Sequence, residues 1–491
     1  MGFVLVSKLL LFQIAPIPFK EFFHQFDSNI AMKTLQSRIQ SWMLIAVATS
    51  LSMFMASCNQ WIDTSLNTDP NNPSNVSITA ILPAAQGALA FTNGGQMSRF
   101  ACMFTQQFIG TDRQHAGYYS YLLTENDVGG AVWDNYYAST MKNASQMISQ
   151  ATTSPAYRGA GRILLAYSMA AITDAWGNAP YSEIFRLQRN GNGTFSAKFD
   201  DQQAIYTALQ AQLDTAITEL GIATNVFPLS FSVGGVPVDA FYGGDRQQWI
   251  RAAWTLKARL AIHTVKRNAN AASQDALRFL QRGFQSNADD MMFAFGNAAT
   301  QPNPLAGFMR DRGDIDVDPN MYDILEKLKD PRTSAYTDPD NLFGALVASN
   351  NSPVVLLSFA EAKFIEAEAN VRLGNSDAAR AAFITAIQSS LTYAGVSADD
   401  ATAYLAQTSV VPASGITLQR IMEQKYIALF TQPEVWTDWR RTGFPVLTPI
   451  SGNAIPRRLP VPLNERLYNG ANVPPGSNQP AWLYGRVWWD M

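Results

Sequence analysis

Two cysteines and three histidines in 491 residues leave little material for a disulfide framework or a His-rich zinc site. Charge is scarce too: Asp, Glu, Lys and Arg make up 15% of the chain, against the usual share of about a quarter. The 36 basic and 39 acidic residues form no long block of one sign, which argues against a nucleic-acid-binding face. No nucleophile-elbow or zinc-ligand motif and no phosphate cradle occurs. What the chain does have is 47% hydrophobic and 11% aromatic residues, enough to fill a large core.

One hydrophobic run is short and stops at a cysteine. From Met32 the chain reads "MKTLQSRIQSWMLIAVATSLSMFMASC": Lys33 and Arg38, a mostly apolar stretch from Trp42 to Ala56, then small residues and Cys58. This is the layout of a secretory signal, and the run falls short of the roughly 20 residues a spanning helix needs. Cysteine directly after Ala56-Ser57 resembles a bacterial lipobox, with Met55 where Leu is commoner. The expected organisation is an extension at 1–31 ahead of a translation start at Met32, a signal peptide at 32–57, acylation of Cys58, a polar tether at 58–80 and one helical domain at 81–491. Acyl chains at about 0.8 kcal/mol per buried methylene hold such a protein on a membrane without a spanning helix. Cys102 reads as a buried apolar thiol.

The body of the chain has helical periodicity. Apolar stripes occur at 162–173, at 204–220 (Ile205, Leu209, Leu213, Ile217, Leu220) and at 249–265 (Trp249, Ala253, Leu256, Leu260, Ile262), and all read as core; His263 on the last reads as a satisfied helical histidine. Residues 358–387 predict two helices separated at Gly374, with Ala379, Phe383, Ala386 and Ile387 spaced as in a tetratricopeptide pair. Long irregular loops are expected at 110–130, 221–247, 296–320, 330–353 and 443–481, lengths that loops usually reach when they carry function. Short strands fit 226–238, with Gly234-Gly235 as a turn. The predicted class is mainly α: a tetratricopeptide-like helical-pair scaffold with long loops and few short strands.

Several separated segments together resemble the SusD/RagB family, and its SusD-like subgroup in particular. They are "TDAWGNAPYSEIF" at 173–185, with Asn178 at a usual Asp position, "WIRAAWTLKARLAIH" at 249–263, "DPR" at 330–332, "SFAEAKFIEAEANVRLG" at 358–374 and "IMEQKYIALFTQPEVWTDWRRTGFPVL" at 421–447. The resemblance implies an α/α superhelix and a surface-exposed outer-membrane lipoprotein of Bacteroidetes-type bacteria. It also implies a lid on a SusC-like TonB-dependent transporter, capturing oligosaccharides or, in some members, peptides, with no catalysis and no cofactor. The motif residues themselves read as structural: Trp436 and Trp439 lie one helical turn apart, Arg440 and Arg441 reach acids or carbonyls, Gly443 breaks the helix, and Pro180 and Tyr181 fix a helix exit.

A sugar binder needs aromatic platforms edged by planar polar groups. Asp112, Arg113, Gln114, Tyr118, Tyr119 and Tyr121 in one loop, and Phe308, Arg310 and Arg312 in another, are the candidates; Tyr119 and Tyr121 equally fit one side of a buried extended segment. Trp133 and Tyr137 read as core. Asp314, Asp316 and Asp318 alternate like the start of a calcium loop, but Pro319 and Leu325 occupy the places of its glycine and distal acid. A solvated acidic loop is the expectation, with a looser structural calcium site left open.

Overall fold

The computed structural model describes residues 38–39, 41–46, 76–184, 196–340, 342–452 and 454–491. Residues 1–75 and 76–491 form separate units. In the first, the described residues are helical, and among them no helix is long and apolar enough to cross a membrane. Cys58, residues 47–57 of the expected signal and residues 58–75 of the expected tether lie outside the described residues, whereas 78–80, expected at the tether's end, already belong to the first helix of the second unit.

The second unit begins where Ser77 caps the helix Ile78–Thr92, its hydroxyl accepting from Thr79 N. The three periodic stretches become the helices Pro155–Trp176, Gln202–Gly221 and Arg246–His263, each longer than its stripe. Ile205, Leu209, Leu213 and Leu220 are buried on one, and Trp249, Ala253, Leu256, Leu260 and Ile262 on another. Successive helices pack on one another, and Arg246–His263 is followed by Ala269–Leu280, which in turn meets Phe359–Arg372.

The pair predicted around Gly374 is present as Phe359–Arg372 and Ser376–Tyr393. Ser358 accepts from Glu361 N at 3.1 Å, starting the first helix. Gly374 at φ +79° makes the turn that a side chain would strain. Ala367, Ala379 and Ala386 are fully buried, so the helices approach closely, and Phe364 meets Phe383 edge-on at 6.2 Å.

Strands are few and short. Gly234 and Gly235, both at positive φ, close a hairpin of Ser232–Val233 with Val236–Pro237. Two other antiparallel ribbons join distant segments: Phe108–Gly110 with Ile315–Val317, and Met291–Phe293 with Val354–Leu357. The predicted irregular loops carry structure of their own, including helices at Arg113–Tyr119, Pro304–Asp311, Ala345–Ala348 and Leu463–Tyr468. Their turns are too brief for a periodic signal to register.

The aromatic-arginine motif is a structural corner. In Glu434–Thr442, Trp436 is buried and its indole donates to Pro456 O at 2.9 Å, and Gly443 at φ +77° ends the helix. The Arg440 guanidinium lies 3.8 Å over the Trp436 ring and 4.8 Å from Trp489, and it donates to the carbonyls of Asp174 and Arg457. Gly177, at φ +88°, ends the 155–176 helix. Asn178 then accepts from Gln202 N and donates to Asp201, tying this exit to the start of the next helix.

Behind the corner lies a buried charge network. Arg259 pairs with Glu361, and His263 donates to Glu434 at 2.7 Å and lies 3.4 Å from Asp174. Arg441 pairs with Glu368 and Asp438, both at 2.6 Å, while Lys425 also holds Asp438 and Arg372 also holds Glu368. Cys102 is a free, fully buried thiol, pushed up to about 12 by burial.

Candidate functional site

The two candidate loops meet because of the ribbon. Phe108 pairs with Val317, Ile109 with Asp316 and Gly110 with Ile315, and Thr111 N then donates to Asp314 O at 2.8 Å. Gly110 lets the next helix fold back over the strand: a Cβ there would lie 1.9 Å from the His115 carbonyl oxygen. Asp112 accepts from Arg113 N at 2.8 Å and starts the helix 113–119, with Arg113 at φ +49°.

At the junction sits the Asp314 carboxylate, fully buried. It accepts from Arg113 Nη1, from Arg312 Nη2 at 2.8 Å and from His115 Nδ1 at 3.3 Å. Burial acts to raise its pKa, but the Arg312 hydrogen bond and the two guanidinium charges outweigh it and hold the carboxyl below its ordinary range. Arg312 Nη2 also donates to Gln114 Oε1 at 3.0 Å. Arg113 is 52% exposed and Arg312 39%, so each turns part of its guanidinium outward while bonding Asp314 with the rest.

Two further groups complete the cluster. His115 is held down to about 4 by burial, then by the charge of Arg99, so it is neutral at pH 7. With Nδ1–H on Asp314, its Nε2 becomes an acceptor, buried and without a hydrogen-bond partner among the described residues. Arg99 bonds Gln96 Oε1 at 2.8 and 3.2 Å and lies 4.2 Å over the Phe308 ring. Burial, then Arg312, lower Arg99 to about 10, which leaves it cationic at neutral pH. It makes no ion pair among the described residues.

Thus Arg113, Gln114, Arg312 and Phe308 come together, with Asp112 at the edge, 3.9 Å from Arg113. Arg310 does not join them; it bonds Asp311 and the Ala299 carbonyl. The tyrosines are placed differently from the expected platforms. Tyr118 and Tyr121 are buried, the first donating to Asp127 at 2.7 Å and the second accepting from Ile450 N at 3.0 Å. Tyr119 is half-buried and donates to Asp318 at 2.6 Å. These rings belong to a helix and the turn after it, not to an extended segment, which puts them against the core.

The acidic loop is likewise not solvated. Asp314 and Asp318 are buried, and Asp318 accepts from Asn320 N at 2.8 Å at the start of the helix Pro319–Leu328. Both carboxylates are spent on the protein's own donors, so the expectation of a solvated loop is corrected. No cluster of metal-ligating side chains occurs among the described residues. Trp133 is buried and Tyr137 half-buried, as core packing requires.

Neither Arg99 nor His115 lies in a motif that the sequence makes apparent. An open groove of about 510 Å³ between the 202–221 and 269–280 helices was also missed. Its rings are occupied by the protein's own cations: Lys257 lies 5.3 Å from Trp254 and 4.7 Å from Phe279, and Arg267 lies 5.6 Å from Trp488. That leaves less open ring surface for a sugar face.

Comparison with known proteins places the fold. Residues 70–350 and 342–462 match a SusD-like family described as starch-binding and associating with the outer membrane. Among solved structures, a SusD/RagB family protein from Bacteroides thetaiotaomicron is 23% identical, with TM-score 0.70 over 85% of this chain and 99% of that one. A chitin-binding SusD homolog from Flavobacterium johnsoniae is 24% identical, with TM-score 0.65 over 83% and 98%. A SusD homolog from Bacteroides fragilis is 20% identical, with TM-score 0.66 over 84% and 100%. No curated protein matches the chain.

Proposed function

The chain belongs to the SusD-like family, starch-binding and associated with the outer membrane, and on that premise we propose that it is a cell-surface lipoprotein that captures oligosaccharides and hands them to a SusC-like TonB-dependent transporter. It is a binding protein rather than an enzyme, as the family is. The anchor is Cys58, acylated after removal of residues 32–57, with the following polar stretch as tether. No cofactor is required, because capture needs only a preformed surface.

The observation that carries the capture reading is the convergence of the two candidate loops on one rigid junction. Planar polar groups from Arg113, Gln114 and Arg312 stand at its rim, and the half-buried Phe308 lies beneath Arg99. Guanidinium and amide planes suit the hydroxyl pairs of a sugar, and anchoring them on a buried carboxylate reduces the entropy lost on binding. The likeness to a chitin-binding homolog supports a glycan cargo.

The direct test is calorimetric titration of the mature protein with a panel of oligosaccharides and peptides. Saturable oligosaccharide binding is expected; binding of peptides alone would replace the cargo. Co-purification with a TonB-dependent barrel tests delivery. Loss of acyl label and of membrane association in Cys58→Ala tests the anchor, and retention of both would remove it.

A further inference from the structure

The rim cluster has more positive charge than a neutral sugar calls for. Arg99, Arg113 and Arg312 surround one buried carboxylate, Asp314, and His115 beside them is neutral. Asp112 lies 3.9 Å from Arg113 but is largely exposed, where water and salt screen it. Asp127 is engaged by the Tyr118 hydroxyl and by the backbone and hydroxyl of Thr124.

Hydrogen-bonding capacity is left over as well. Arg113 Nη2, Arg312 Nη1 and Gln114 Nε2 make no hydrogen bond among the described residues, although their partner atoms on the same side chains are fixed. A guanidinium pinned at one nitrogen and open at another is prepared to receive a planar anion, since the orientation of its fork is already set.

From this arrangement we propose that the junction of the 108–119 and 304–317 segments is an acid-recognition subsite: Arg113 and Arg312, backed by Arg99, hold the carboxylate of a uronate-type sugar, so the captured oligosaccharides are acidic. This assignment rests on the oligosaccharide-capture reading and narrows it. Gln114 donates to the carboxylate or a neighbouring hydroxyl, and Asp314 fixes both guanidiniums without contacting the ligand. Charge-assisted bonds supply the selectivity, and the field of the cluster speeds encounter with an anionic chain.

The experiment compares oligogalacturonate with the same oligosaccharide reduced at its carboxyl groups to the neutral galactose form, by titration on full mature protein. The neutral form is expected to bind at least about tenfold more weakly, a contrast that alters no residue and so cannot be confused with misfolding. Arg312→Gln and Arg113→Gln, each leaving the other arginine on Asp314, are each expected to weaken acidic-ligand binding about tenfold and so to shrink the preference for the acidic over the neutral form. Affinity for the acidic form should also fall with added salt.

Equal binding of acidic and neutral forms, unchanged in both variants, overturns the subsite while leaving oligosaccharide capture intact. Binding of carboxylate-bearing peptides without binding of either sugar overturns subsite and capture together. Acid-selective binding that survives both substitutions locates recognition elsewhere and overturns the assignment to this junction.

Discussion

In the buried network around His263 and Arg441, each cation faces at least one carboxylate; at the rim around Asp314, three guanidiniums surround one. Glu361, Glu434, Glu368 and Asp438 are spent inside the protein on Arg259, His263, Arg441 and Lys425. At the rim, donors remain and part of each outer guanidinium is exposed. Cations matched by buried carboxylates are what a scaffold needs, because any uncompensated ion there costs several kcal/mol. Surplus charge with spare donors is tolerated at the rim because part of each outer guanidinium meets water, and the proposed function uses it for recognition.

The two histidines make the same contrast. His263 is raised to about 9: burial opposes the rise, and Glu434 and Asp174 overcome it. Its stabilisation is fully present below the unfolded value near 6.5 and is lost as pH rises through about 9. His115 is lowered to about 4 by burial and Arg99, so its contribution is present above about 6.5 and is lost as pH falls towards 4.

Breaking the comparison at its strongest point means removing one member of a closed pair. Arg441→Met leaves Asp438 and Glu368 underpaired in the interior and is expected to cost about 3–5 kcal/mol in urea unfolding; a cost below about 1 kcal/mol would show that the network does not hold the corner. Next in size is the alkaline limb: raising pH from 7 towards 10 should cost about 3 kcal/mol through His263, and His263→Gln should flatten that limb. The same attraction depresses Glu434, so the two are one contribution. His115→Gln should flatten the acid limb alone, and an unchanged acid limb would mean that His115 does not titrate as its surroundings require.

Smaller effects sharpen the boundary of the rim. Tyr119→Phe removes the bond to Asp318 and should cost about 1 kcal/mol of stability while leaving sugar affinity unchanged. A large affinity loss there would return Tyr119 to the binding surface. Arg310→Ala, whose side chain is tied to Asp311 on the surface, should change neither stability nor binding measurably.

The scaffold was readable because it repeats a rule. Ile205, Leu209 and Leu213 recur every four residues and are buried on one helix face, and Gly374 stands where the chain needs a left-handed turn. Family motifs such as Trp436 and Arg440 were correctly read as a corner because their spacing already put them on one helix. The junction was not readable in the same way. The strands that create it are three residues each, below the length at which alternation is a signal, and their pairing joins Phe108 to Val317, far apart in the chain. Asp314 therefore read as one acid in a surface loop, and His115 and Arg99 as nothing in particular. Tyr118 and Tyr121 looked like platforms because their short helix was hidden in a polar segment.

The ribbon that joins these loops also orders events in time. Arg113 and Asp314 are 201 positions apart, and the chain between them contains the stacked helices Pro155–Trp176, Gln202–Gly221, Arg246–His263 and Ala269–Leu280. Loops of that length close slowly and gain little until the intervening structure has shortened the path between their ends. The junction, and with it the proposed subsite, is thus expected to form late in folding, an order that pulsed hydrogen exchange of its backbone amides would reveal.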